Sequence, residues 1–312
     1  MTLTEIPGNP IPDGAVAGFI ETPDRVKLRY ARFPAKPGQL KGTVTLLQGR
    51  AEFIEKYFEV ITELQERGFH VVTFDWRGQG GSDSHPGSLK RGNVSSFSRY
   101  RVDLETVVGG ISLADCPGPH YVLAHSTGGA VFLSATERLR TQISRAVLSA
   151  PFTGLSDFGR KERMIFRLAR LLAMLGLALA PVPGRGNGKA ETFETNRQTS
   201  DLRRFERMVE IGKANPALEI GPPTIGWLAA AVRCLMSFRE LRFGPSVAVP
   251  VLMIAAGRDR IVSSRATEEL STRIRAAGFI DIPGAEHELL MEQDVYRQQF
   301  WAAFDAFIPG EE

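Results

Sequence analysis

Three polar residues occur along this chain in an order that suits acyl transfer: Ser126, then Asp259, then His287. A serine hydroxyl becomes a nucleophile when an imidazole takes its proton and a carboxylate holds that imidazole in the right tautomer. Ser126 lies in Tyr121-Val-Leu-Ala-His-Ser-Thr-Gly-Gly-Ala130. An apolar run enters a small-His-Ser-x-Gly-Gly turn and a helical pattern leaves it, which predicts a sharp strand-to-helix turn that lifts the hydroxyl clear of a sheet. The residues two before and two after the serine must be small, because the two backbones pass close there. They are Ala124 and Gly128. The usual first residue is glycine, so Ala124 departs by one methyl. Alone, Ser-Thr-Gly-Gly also reads as an N-cap serine opening a helix. The downstream acid and base favour the nucleophile.

Val249 to Ala256 reads as a buried strand running into Gly257-Arg-Asp259. Asp259 therefore falls just past a strand's C-terminal end, where open α/β sheets carry their active residues. His287 follows a short strand, Phe279 to Ile282. The other four histidines fit a base poorly. His70 and His120 open strands at the opposite sheet edge, His85 lies in a polar loop, and His125 is fixed beside the serine and points elsewhere on the turn. Asp281 is the alternative acid, poorly placed within a strand.

A tetrahedral intermediate also needs two N–H groups aimed at its oxygen. Thr127 supplies one directly after the serine. The loop Gln48-Gly-Arg-Ala-Glu-Phe53, after the strand Gly42 to Leu47, supplies the other through Arg50, with Gly49 allowing a tight backbone turn. An ordinary glycine turn is the alternative there.

The elements that must position these groups alternate as strands and helices. Strands are predicted over 26–33, 43–47, 70–74, 120–124, 145–149, 249–255 and 279–282. Helices are predicted over 55–67, 99–113, 127–139, 264–277 and 292–308. Residues 1–19 read as an extended lead-in. The glycine-rich Asp75-Trp-Arg-Gly-Gln-Gly-Gly-Ser82 lacks the order of a P-loop or a dinucleotide fingerprint and reads as a structural turn.

On these motifs the chain resembles the monoacylglycerol lipase and bacterial lysophospholipase branch of the α/β-hydrolases. The resemblance runs over nearly the whole chain. It rests on Gln48 to Tyr57, Asp75 to Ser82, Ala124-His-Ser-Thr-Gly-Gly129, Gly221-Pro-Pro-Thr-Ile-Gly-Trp227, Gly257-Arg-Asp259 and Gly284-Ala-Glu-His-Glu-Leu-Leu290. The family often carries His-Gly where this chain has Gln48-Gly49. The resemblance implies an α/β-hydrolase fold: a mostly parallel central sheet flanked by helices, formed by residues 1–150 and 246–312, with 151–245 as an inserted helical cap over the site. It implies an acyl-ester hydrolase without metal or organic cofactor and does not fix the substrate; our expectation is single-chain acyl lipids, lysophospholipid first and monoacylglycerol second. A small-ester esterase, an aminopeptidase and an amide hydrolase are rivals on the same machinery. A non-catalytic binding protein is the rival from another class.

Composition fits one large α/β domain with an insertion. The chain has 312 residues, 43% of them hydrophobic. Its two cysteines, Cys116 and Cys234, make no metal or redox spacing, which suits a reducing compartment. The start carries no Lys or Arg before Phe19 and no secretory pattern, and no run of apolar residues is long enough to span a bilayer. These features lead to the expectation of a cytoplasmic protein, peripheral to the inner membrane at most, with no nucleic-acid partner and no stated oligomeric state. Residues 151–245 hold fifteen Lys/Arg against nine Asp/Glu, a balance of +6 against +3 for the whole chain. Within them Arg160, Arg163, Arg167 and Arg170 form one stripe on a predicted helix whose other faces carry Ile165, Phe166, Leu168, Leu171, Leu172 and Leu175. Two readings stand: the apolar side packs on the cap's own core, or the helix docks on an anionic membrane surface. A flexible loop is expected over 181–188.

Overall fold

The computed structural model describes residues 3–38, 40–83, 92–156, 161–183 and 192–309. Among them, eight strands form one sheet: β1 (Val16–Glu21), β2 (Lys27–Phe33), β3 (Gly42–Leu47), β4 (Phe69–Phe74), β5 (His120–His125), β6 (Arg145–Ser149), β7 (Val251–Ala256) and β8 (Ala277–Ile282). Their order is β1-β2-β4-β3-β5-β6-β7-β8. β1 and β2 pair antiparallel, as do β2 and β4, and every later pair is parallel. β3 and β7 are buried along their whole length. A strand covered on both faces has no solvent-facing side to carry alternate polar residues, which is why Val251-Leu-Met-Ile-Ala-Ala256 shows no alternation.

The helices are α1 (Phe58–Glu66), α2 (Phe97–Val107), α3 (Leu113–Asp115), α4 (Thr127–Leu139), α5 (Glu162–Leu172), α6 (Leu202–Ala214), α7 (Ile225–Phe238), α8 (Phe243–Ser246), α9 (Ser264–Ser271) and α10 (Asp294–Phe307). Their starts are chemically marked. Ser96, Asp201, Thr224 and Ser263 each accept the N–H of a residue two or three ahead, a cap that contributes about 1 kcal/mol.

Two expectations need correction. The lead-in over 1–19 contains most of β1, which pairs with β2 from Val16↔Arg32 to Glu21↔Lys27. The helix expected over 264–277 stops at Ser271, because Ala277 is already paired with Val251 and the chain must turn to reach that register.

The chain returns across the sheet after β4, so β3 and β5 lie side by side with their connections leading to opposite sides. Such a switch point opens a crevice at the strands' carboxyl ends. The Gln48 loop, Ser126, Asp259 and His287 all follow C-terminal ends of strands: β3, β5, β7 and β8. His70 and His120 lie at the other edge, both opposite Thr43.

Between β6 and β7, which are neighbours in the sheet, the chain inserts α5 to α8. α5 packs against α7. Its apolar residues are only partly covered: Ile165, Phe166 and Leu172 are half-buried, whereas Met164, Leu168 and Leu171 are exposed. The next turn exposes Met174, Leu175 and Leu177 as well. The expectation of an apolar side packed within the segment therefore holds for one flank of α5 only. Arg160 and most of the expected 181–188 loop lie outside the described residues.

Candidate active site

Ser126 sits on the turn from β5 to α4 with φ 48° and ψ −112°, a conformation that costs a non-glycine residue about 1–3 kcal/mol. The strand frame holds it there. Its N–H donates to the Ser149 carbonyl at 3.0 Å, and its own carbonyl accepts from Phe152 N–H at 2.9 Å. A Cβ on Gly128 would stand 2.7 Å from the carbonyl oxygens of Leu47 and Gln48, and one on Gly129 would stand 2.8 Å from Pro151. The small residues are thus required by the close approach of β3 and of the chain after β6. Ala124 fits, fully buried between its strand partners Leu47 and Leu148.

His287 Nε2 lies 3.0 Å from Ser126 Oγ, and its Nδ1 lies 2.7 Å from Asp259 Oδ2. The carboxylate can only accept, so Nδ1 carries the proton and Nε2 offers its lone pair to the serine hydroxyl. Asp259 is itself fixed: its Oδ1 accepts the N–H groups of Ile261 and Val262, each at 2.8 Å. Ser126 is 8% exposed and the Asp259 carboxylate 0%. Burial works against a charge on His287, but Asp259 outweighs it and raises the imidazole above its ordinary value. Asp281, the alternative acid, is exposed on β8.

His125 departs from expectation. It does not point away from the site but packs on it, its ring 4.8 Å from the His287 ring. Its Nδ1 is 3.2 Å from the Ser149 carbonyl and its Nε2 is 3.5 Å from Glu52 Oε1. Burial brings its pKa down to about 3, so it stands beside His287 as a neutral ring.

The loop after β3 is braced from below. Gly49 N–H donates to Glu52 Oε2, which also accepts from Tyr57 OH at 2.6 Å. Lys56 Nζ bridges Glu52 Oε1 at 2.7 Å and Glu288 Oε1 at 2.6 Å. One buried ammonium thus ties this loop to the residue after His287. The left-handed residue of the turn is Ala51, at φ 64°, not Gly49 as expected. Gly49 is needed because a Cβ would lie 2.8 Å from the Glu52 carboxylate. Ala51 N–H is held by Gln79 Oε1 at 2.7 Å. The Arg50 and Thr127 N–H groups meet no acceptor among the described residues. At the position of the family's frequent histidine, Gln48 reaches toward Thr73 Oγ1 and Asp75 Oδ1 at 3.3 and 3.4 Å, and its carbonyl accepts the Trp76 indole N–H. The Asp75–Ser82 stretch is a turn around the buried Asp75 carboxylate, which accepts from Gly81 N–H, Ile54 N–H and Arg29.

Glu52, Lys56, Tyr57 and Glu288 are the side chains the sequence reading missed. The Glu52–Lys56 spacing of four was a visible signal. Glu288, 232 residues from Lys56 in sequence, was not. Glu52, His125 and Glu288 bring donor atoms within 4.8 Å of one another, a spacing that would suit a metal ion. The cation lying between the two carboxylates is Lys56.

A fold and a site of this kind define a class. Residues 38–294 match the family described as serine aminopeptidase, S33, and the chain belongs to that family of α/β-hydrolases. Among its relatives, a probable lysophospholipase L2 of Haemophilus influenzae is 27% identical over 285 residues, covering 91% of this chain and 88% of the relative. Lysophospholipase L2 of Escherichia coli K12 is 28% identical over 288 residues, covering 88% and 82%. A soluble variant of monoglyceride lipase from Saccharomyces cerevisiae, solved with a substrate analog, superposes with a TM-score of 0.74 at 19% identity, covering 93% of this chain and 94% of its own. That likeness is one of fold. The chain stands in the lysophospholipase and monoacylglycerol lipase branch of the α/β-hydrolases.

Proposed function

We propose that this protein is a lysophospholipase-type serine hydrolase that cleaves the ester of single-chain acyl lipids through an acyl-enzyme. The chain is an ester hydrolase, and lipid esters are the substrates its curated relatives' names point to. The observation that carries the mechanism is the hydrogen-bonded series Ser126 Oγ, His287, Asp259. Ser126 Oγ attacks the ester carbonyl as His287 Nε2 takes its proton. The same proton passes to the leaving alcohol. Asp259 holds Nδ1–H and stabilises the imidazolium. The N–H groups of Arg50 and Thr127 receive the oxyanion. Water then repeats the sequence on the acyl-serine, releasing fatty acid.

Residues 151–245 act in this reading as the cap. They already meet the site's loops: Glu288 N–H donates to the Gln198 carbonyl at 2.7 Å, and Arg50 Nη2 donates to the Gly221 carbonyl at 2.8 Å. A cleft of about 710 Å³ opens between α5 and α7, with Phe166, Met174 and Met236 beside Arg170 and Arg233. Ser126, Asp259 and His287 do not line it. The exposed apolar face of α5 with Arg163, Arg167 and Arg170 supports docking of the cap on an anionic lipid surface. An aminopeptidase reading, suggested by the family's description, calls for carboxylates placed for a free amine. The buried Glu52 and Glu288 carboxylates beside His287 are both taken by Lys56. Hydrolysis of lysophospholipids, monoacylglycerols, short esters and aminoacyl amides, compared side by side, tests the reading; faster turnover of the amides overturns it.

A further inference from the structure

Among the described residues, the buried arginines are neutralised by carboxylates. Arg29 meets Glu55 and Asp75, Arg77 meets Asp24 and Asp103, Arg204 meets Glu59, Asp201 and Asp294, and Arg297 meets Glu59 and Glu63. Desolvating a guanidinium is costly, and a carboxylate partner offsets that cost. Arg50 breaks the pattern. It forms no ion pair among the described residues. Its Nη2 donates to the Gly221 carbonyl at 2.8 Å, its guanidinium lies over the Trp227 ring at 5.3 Å, and its Nε is buried without an acceptor. Burial, unrelieved by any carboxylate, brings the guanidinium down to about 10.

The position of this lone cation is informative. Arg50 belongs to the loop after β3 that faces the serine turn. The Trp227 ring beneath its guanidinium stacks on Phe152, whose N–H is bonded to the Ser126 carbonyl. The Arg50 side chain is thus linked through Trp227 to Phe152, in the segment bonded to the serine turn, while its backbone belongs to the loop proposed to receive the oxyanion. The residue is partly exposed, so a ligand can reach it. A cation left unpaired at the wall of a reaction site is complemented by an anionic ligand, and a guanidinium fork matches phosphate oxygens in particular.

We propose that Arg50 is the specificity residue for the phosphate of a lysophospholipid head group, selecting it over uncharged monoacylglycerol. The proposal rests on the ester-hydrolase reading above and adds the head group to it. In a lysophospholipid the phosphate is joined to the glycerol that becomes the leaving alcohol. A cation holding it would position the ester as well as bind it. Part of its effect then appears in kcat and part in KM.

The test compares kcat/KM for 1-acyl-glycerophosphoglycerol and 1-monoacylglycerol of the same acyl chain. Both are presented in neutral detergent micelles and phosphate-free buffer, so that the basic surface of α5 plays no part. The ratio of the two is measured for the parent, Arg50→Gln and Arg50→Lys. Losses common to both substrates cancel in the ratio. Arg50→Gln is expected to lower the ratio about tenfold or more, the scale of one charge-assisted contact. Arg50→Lys keeps the charge but not the fork and is expected to fall between. Added inorganic phosphate should raise the parent's KM for the phospholipid and leave that of Arg50→Gln unchanged. A ratio equal in parent and Arg50→Gln overturns the proposal, as does inorganic phosphate slowing both substrates alike. A parent that cleaves neither lipid overturns the lipid reading along with it, which is a distinguishable result.

Discussion

Replacing Asp259 by Asn tests the orientation argument, because the structure dictates how the amide must sit. Asp259 Oδ1 accepts two backbone N–H groups at 2.8 Å, while Oδ2 faces His287 Nδ1 at 2.7 Å. An asparagine has one oxygen. If it keeps the two backbone bonds, its NH2 faces Nδ1, which must then give up its proton and accept. The imidazole proton moves to Nε2, where it points at Ser126 Oγ and cannot take the serine proton. If the amide flips, two backbone donors are left facing NH2. Each unsatisfied group costs about 1–3 kcal/mol, so the productive arrangement lies about 2–6 kcal/mol above the other. That corresponds to a loss in kcat of roughly 30-fold to 3 × 10⁴-fold. Loss of the carboxylate also removes the group that raises His287, so the residual activity should begin at lower pH than in the parent. The assay is kcat on a short chromogenic ester from pH 5 to 9, with circular dichroism to confirm the fold. An Asp259→Asn enzyme within threefold of the parent refutes the reasoning.

Two further expectations follow from charge. His287 is raised above the usual histidine value of about 6.5, and it must be neutral to accept the serine proton. Activity on the soluble ester should therefore be lost on the acid side from a pH above that value, read as the acid limb of kcat/KM; a limb at or below it contradicts the assignment. At the cap, Arg163, Arg167 and Arg170 changed together to Gln should weaken binding to anionic vesicles by about 3 kcal/mol if each contributes about 1, with short-ester hydrolysis retained. Equal co-sedimentation of parent and variant would leave the stripe as a solvated face.

The sequence made the parallel core legible because its strands are buried on both faces and cannot hide their apolar runs. It made Ser126 and Asp259 legible because each follows such a strand, and His287 because it lies after the acid in the loop following the half-exposed β8. β1 was not legible: its Val16, Phe19 and Ile20 stand at an edge, after a start rich in Pro and Gly, and gain strand character only by pairing with β2. The end of α9 was overrun because Leu270 and Ile274 keep helical spacing while β7 claims the chain from Ala277. The bracing of the loop after β3 depends on Lys56 meeting Glu288 through the fold, which no local pattern encodes. His125 was misdirected because residues on a strained turn do not follow the alternation of the strand that leads into it. The apolar residues of α5 leave two readings open in the sequence, a packing face or a membrane-facing one, because spacing alone does not tell which of them a neighbouring helix will cover.

The most direct measurement is labelling by a serine-reactive fluorophosphonate, run beside ester hydrolysis, on the parent and on Ser126→Ala. Nucleophilic catalysis by Ser126 predicts that the parent is labelled once per chain and that the folded variant shows neither labelling nor hydrolysis above about 10⁻³ of the parent. A folded Ser126→Ala protein that is still labelled, or that still hydrolyses the ester at a comparable rate, would contradict the account.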